Sequence, residues 1–135
     1  FNIHTDAHLI RAAQEGVAFA FRYGLDIMRE NGMHPSVIRA GKANLFLSDV
    51  FTRSFVNSTG VAVEFYEGDG SYGAAIGAGI GAGIFKNTSE AFGNRRATGV
   101  VEPTATESCE EIYQQWKRFL EEKINNPQNE LINFA

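Results

Sequence analysis

The residues best placed to do chemistry lie in one short stretch, Arg39-Ala-Gly-Lys-Ala-Asn44. It falls between a predicted strand and a predicted helix start, the position at which α/β sheets bind phosphates and nucleotides. Backbone N–H groups at a helix N-terminus point outward, and a glycine such as Gly41 lets a ligand come close to them. Asn44 can also cap the following helix through its side-chain oxygen. On spacing alone, the simpler reading is an ordinary βα connection with an Asn cap.

Other candidates carry less. Gly77-Ala-Gly-Ile-Gly-Ala82 fits the Gly/Ala form of the dinucleotide fingerprint. No strand directly precedes it and no acidic residue follows at the required distance, so it reads better as the small-residue face of a helix. His4 and His8 are spaced to share a metal only if both are helical, and His4 precedes the predicted helix. Arg11 and Glu15 are set for an i,i+4 ion pair worth ~0.3 kcal/mol. Arg95 and Arg96 read as two solvated loop cations. Cys109 falls in the first turn of a helix, which can lower a thiol pKa, but no histidine partner is recognisable. There is no Walker A pattern, no Gly-x-Ser-x-Gly and no paired-carboxylate motif. No catalytic residue and no metal ligand is assigned.

The chain that must position these residues has 135 of them, 44% hydrophobic and 21% charged. That fits one globular domain and excludes a wholly disordered chain. Three prolines and one cysteine exclude collagen-like and disulfide-framework classes. Twelve basic residues against 16 acidic ones give a formal charge of −4, which argues against nucleic acid as the main partner. No apolar run approaches the roughly 20 residues of a membrane span, and no signal peptide is visible. The single cysteine fits a reducing compartment, so a cytoplasmic location is expected. The chain begins at Phe1 rather than Met, which leaves open a fragment or a processed chain.

Helical spacing of Leu9, Ala12, Ala13, Val17, Ala20, Phe21, Leu25 and Met28 predicts a helix over about 6–31, with Thr5 or Asp6 as N-cap and Asn31-Gly32 as its stop. A strand is predicted over Ser36–Ala40, a helix from Leu45 to about Asn57, and a second strand over Val61–Tyr66. This βαβ unit favours a parallel pair with a right-handed crossover. Tyr72 to Phe85 reads as a helix whose Gly73, Gly77 and Gly81 share one face. Each glycine costs it ~1 kcal/mol relative to alanine, so close packing on a neighbour, here the first helix, is expected. Residues 86–107 read as irregular, with a short helix at Ser89–Phe92. The last helix is expected to open on a Ser108/Glu111 capping box and to bury Ile112, Trp116, Phe119 and Leu120. A polar tail occupies 126–135. Two strands do not make a stable sheet alone, so either three or four helices of this apolarity cover it or further strands come from elsewhere.

In order, these elements resemble the FGGY carbohydrate kinases. His8-Leu-Ile-Arg-Ala-Ala-Gln-Glu15-Gly-Val-Ala resembles the family helix His-Leu-x-Arg-Ala-x-x-Glu-Gly-x-Ala. Val37-Ile-Arg-Ala-Gly-Lys-Ala-Asn44 stands in the place of its Gly-Gly-Gly-Ala segment, with Arg39 and Ala40 where the family has glycines. Gly60-Val-Ala-Val63 resembles its Gly-x-Pro-Val start, and Gly70-Ser-Tyr-Gly-Ala-Ala-Ile-Gly-Ala78 its Ala-Leu-Gly-Ala-Ala helix. Glu102-Pro103 and the Tyr113/Trp116 helix are similar to its terminal helix. The likeness covers nearly the whole chain and is nearest the xylulose kinase branch.

The resemblance implies an α/β fold: the C-terminal portion of an actin-like ATPase (ribonuclease-H-like) domain, with helices packed on a small parallel β segment. It implies a kinase moving the γ-phosphoryl of ATP, with magnesium, to a ketopentose such as xylulose. Ala40, Gly41, Lys42 and Asn44 would face the nucleotide: Gly41 admitting it to backbone N–H groups, Asn44 bonding adenine or ribose, Lys42 meeting a phosphate or water. The sugar and the aspartate that deprotonates it belong to upstream segments of the family, for which this sequence has no counterpart, so this chain alone is expected to be inactive. A non-catalytic actin-like assembly module that has lost nucleotide binding is the alternative, motivated by Arg39 and Ala40. Exposed sheet edges also allow a homodimer.

Overall fold

A computed structural model of the chain describes residues 3–93 and 95–126. The elements run α1 (Asp6–Glu30), β1 (Val37–Gly41), a 3-10 turn (Asn44–Leu47), α2 (Asp49–Thr59), β2 (Ala62–Tyr66), α3 (Gly70–Gly81), α4 (Thr88–Phe92), β3 (Gly99–Val101) and α5 (Thr106–Asn125). The expected tail lies, beyond Asn126, outside the described residues.

Local chemistry sets the helix ends. At the start of α1, the Thr5 N–H donates to His8 Nδ1 at 3.1 Å. Beyond its end, Gly32 takes φ +81°, as a helix stop requires. The α2 N-cap is Ser48, whose hydroxyl accepts from the Phe51 N–H, and its C-cap is Gly60 at φ +66°.

The sheet has the order β1-β2-β3. Strands β1 and β2 are parallel, with Arg39 opposite Glu64 and Gly41 opposite Tyr66. The expected small parallel segment is therefore only part of the sheet, because β3 joins β2 antiparallel, Val101 opposite Val63. Three residues are too few to display a period of two, and the segment reads as irregular for that reason. Alternation on β2 buries Val63 and Phe65 and leaves Glu64 and Tyr66 on the other face. The buried pair joins Ala18, Phe51, Phe55 and Val56 in the core, with Ile38, Ala40, Phe46 and Val101 packed against it.

Helix α1 buries Ala18, Phe19 and Leu25 against α2 and α5. The rest of its expected apolar face is not covered: Leu9, Val17, Phe21 and Met28 are exposed. That row overhangs β1, an edge strand, and an apolar groove of about 690 Å³ runs between Val17, Phe21 and Met28 on one side and Pro35 and Ile38 on the other.

Helix α5 also differs from expectation. It begins at Thr106 rather than after a Ser108 cap, and the Ser108 hydroxyl donates to the Ala105 carbonyl at 3.0 Å. Tyr113 is fully buried, Trp116 and Leu120 are half-buried, and Ile112 and Phe119 face outward. Tyr113 decides this rotation, since its hydroxyl donates to Asp26 Oδ2 at 2.7 Å. The other oxygen of Asp26 accepts from Arg22 and Arg29, which in turn donate to the Ser58 and Thr59 carbonyls at the end of α2. One carboxylate thus clasps three helices. Helix α3 packs chiefly on β1 and α4, and Gly73, Gly77 and Gly81 have no neighbour where a Cβ would stand, so they do not serve the close packing expected of them.

Candidate functional site

The C-terminal ends of the parallel strands β1 and β2 open into a cleft of about 460 Å³. One wall is the turn after β1, through Ala40, Gly41, Ala43 and Asn44. The facing wall is Tyr66, the β2–α3 loop (Glu67 and Asp69) and the first turn of α3 (Gly70, Tyr72 and Gly73), with Phe92 and Arg95 beside it. A parallel pair directs its C-terminal ends outward to the same side, and the connecting loops must border whatever space lies there. Three of the four residues picked from sequence, Ala40, Gly41 and Asn44, therefore meet at one cleft. Lys42 is exposed and does not line it.

The turn is built differently from a simple strand-to-helix junction. Asn44 adopts φ +53°, a left-handed conformation that asparagine tolerates better than most residues. It does not cap α2: a 3-10 turn intervenes, and Ser48 is the cap. The amides of Lys42 and Ala43 are already engaged, donating to Tyr66 O at 3.2 Å and Gly41 O at 2.8 Å. Gly41 is small for a reason within the fold: a Cβ there would land on the Gly68 carbonyl, 2.9 Å from its carbon and 3.0 Å from Asp69 Cα. The glycine thus admits the β2–α3 loop.

Charge in the cleft is organised in pairs. Arg39 Nε donates to Glu64 Oε2 at 3.1 Å, and the Tyr66 hydroxyl donates to the same oxygen at 2.9 Å. Asp69 caps α3; the Ser71 hydroxyl and then its N–H donate to it and hold its carboxyl below the usual aspartate range. Arg95, read from sequence as a solvated cation, lies over the Tyr72 ring at 4.0 Å and donates to Glu67 O at 2.6 Å. No spacing rule reveals it, because its partners lie more than 20 residues away along the chain. Away from the cleft, burial pushes the Cys109 thiol up, opposite to the effect expected of a helix start. His8 is engaged with Thr5.

No family model matches the chain. A search of curated proteins finds the L-xylulose/3-keto-L-gulonate kinase of Escherichia coli (strain K12), 33% identical over 125 residues, covering 87% of this chain and 24% of that protein. Among solved structures, the xylulose kinases of Rhodospirillum rubrum (TM-score 0.65, 23% identity) and Brucella ovis (TM-score 0.73, 19% identity) each align with 93% of this chain and 26% of their own. The gluconate kinase of Lactobacillus acidophilus aligns with 96% of this chain and 26% of its own, at TM-score 0.66 and 20% identity. The likeness to the carbohydrate kinases is borne out. The fold is that of the C-terminal portion of an actin-like ATPase domain. The chain spans about a quarter of the length of these sugar kinases. Among the described residues no helix is long and apolar enough to cross a membrane.

Proposed function

We propose that the chain is the nucleotide-facing part of a cytoplasmic carbohydrate kinase whose reaction transfers the γ-phosphoryl of ATP to a ketopentose such as xylulose. The observation that carries this is the meeting of Ala40, Gly41 and Asn44 at the cleft above the parallel strands. The cleft suits a nucleoside: aromatic walls from Tyr66, Tyr72 and Phe92 stand beside an asparagine amide at its mouth. Asn44 would bond the base or ribose, Gly41 and Gly68 hold the two walls together, and Lys42, outside the cleft, would serve only a phosphate that projects beyond it. Magnesium would travel on the nucleotide phosphates, since no group of three His, Cys, Asp or Glu is placed to hold a metal among the described residues. ATP supplies the phosphoryl group, and this chain's residues bind and orient it.

The sugar would be held mainly by residues outside these 135, as would the base that deprotonates it, so the chain alone is inactive. Calorimetric titration with Mg-ATP tests the reading. Saturable binding without xylulose phosphorylation is expected, and the absence of binding, or turnover by the chain alone, would refute it. A second reading, a non-catalytic assembly module, is favoured by one observation: the amides of Lys42 and Ala43 already have partners within the fold. Under either reading the open β1 edge and apolar groove suit a homodimer.

A further inference from the structure

We propose that Arg95 is the positioning residue of this cleft, locking the β2–α3 loop onto the Gly41 turn and so setting the shape that receives the nucleotide. The inference rests on the nucleotide reading above. Arg95 is anchored by its own N–H, which donates to Phe92 O at 2.9 Å. Its guanidinium lies 4.0 Å from the centre of the Tyr72 ring and 5.9 Å from that of Tyr66, and Nη2 donates to Glu67 O. One side chain thus holds the end of β2, the first loop residue and the first turn of α3.

What it holds touches the turn directly. The next loop residue, Gly68, rests its carbonyl where Gly41 has no Cβ. Tyr66, on the other side of Glu67, accepts the Lys42 N–H through its carbonyl at 3.2 Å. The contacts from Arg95 to the nucleotide-facing turn are therefore continuous through Glu67, Gly68 and Gly41. Arginine suits the task because its planar fork stacks on a ring and donates from its edge at the same time. A lysine ammonium has no plane to stack.

Arg95→Ala and Arg95→Lys are compared with the parent chain by Mg-ATP calorimetry, by hydrogen exchange at the Lys42 amide, and by urea unfolding. For Arg95→Ala we expect an approximately tenfold weaker Kd, approximately tenfold faster Lys42 exchange and an unchanged unfolding midpoint, consistent with a local role. Arg95→Lys should recover little of either effect. Unchanged affinity together with unchanged exchange overturns the proposal. So does a loss of affinity that tracks a fall in the midpoint, or full rescue by lysine. If the parent chain takes up no Mg-ATP, the nucleotide reading falls by itself and exchange decides the lock: faster exchange supports it, unchanged exchange overturns it.

Discussion

Replacing Gly41 by alanine separates two explanations for a glycine in the cleft. If the residue is small so that a ligand can reach the backbone, Gly41→Ala weakens nucleotide binding and leaves the free chain's stability alone. If it is small because the β2–α3 loop fills the Cβ position, the free chain is destabilised. The contacts give the size. The new methyl would stand 2.9 Å from the Gly68 carbonyl carbon and 3.0 Å from Asp69 Cα, where ordinary contact begins near 3.4 Å. Both are backbone atoms, which cannot rotate aside, so the loop itself must move. Overpacking of this kind costs about 1–3 kcal/mol. Gly41 has no positive φ, so alanine returns about 0.4–1 kcal/mol by restricting the unfolded chain. The net expectation is a loss of about 1–2 kcal/mol, read as a urea midpoint lower by very roughly 0.5–1 M at a typical slope. Gly77→Ala is the internal control: that site sits in α3 with nothing within 4 Å of a Cβ, and should gain about 0.5–1 kcal/mol. A Gly41→Ala chain as stable as the parent, with Gly77→Ala behaving as stated, would refute the steric argument.

Two more expectations concern the clasp and the groove. Tyr113→Phe removes the hydrogen bond to Asp26 but leaves its arginines, for a loss of about 1–2 kcal/mol in urea unfolding at neutral pH; no loss would show that the bond contributes nothing net. Burial pulls the Asp26 carboxyl up, but donors from Tyr113, Arg22 and Arg29 outweigh it and hold the carboxyl below the usual aspartate range. The clasp's contribution is therefore present above about pH 4 and lost as pH falls further, and acid titration of Tyr113→Phe should show a smaller loss than the parent. At the groove, Val17→Lys with Met28→Lys should reduce self-association in sedimentation velocity and leave the unfolding free energy within about 0.5 kcal/mol, since both side chains are already exposed. Unaltered sedimentation would rule this face out as the surface of the proposed homodimer.

What sequence revealed and what it hid follow from the range of the forces involved. Strands β1 and β2, the glycine stops at Gly32 and Gly60 and the crossover between the strands are decided by neighbours within a few residues, and each stands where local patterning puts it. Rotation of a helix about its own axis is decided at long range. The period of α5 permits either Ile112 and Phe119 or Tyr113 to face inward, and the partner that settles it is Asp26, 87 residues away. On α1 the same periodic pattern marks more apolar surface than this chain covers, because periodicity reports what a helix must bury somewhere, not whether the covering element is at hand. The site divides in the same way. A glycine between strand and helix is legible; the reason for it, a carbonyl from residue 68, is not. Because that carbonyl occupies the space a ligand was expected to use, the proposed nucleotide would enter along the Asn44 side, between the turn and the aromatic wall of Tyr66 and Tyr72. Under the proposed reading the walls, rather than the already partnered amides of Lys42 and Ala43, would govern affinity, and the residue that fixes those walls would outweigh the exposed lysine beside them.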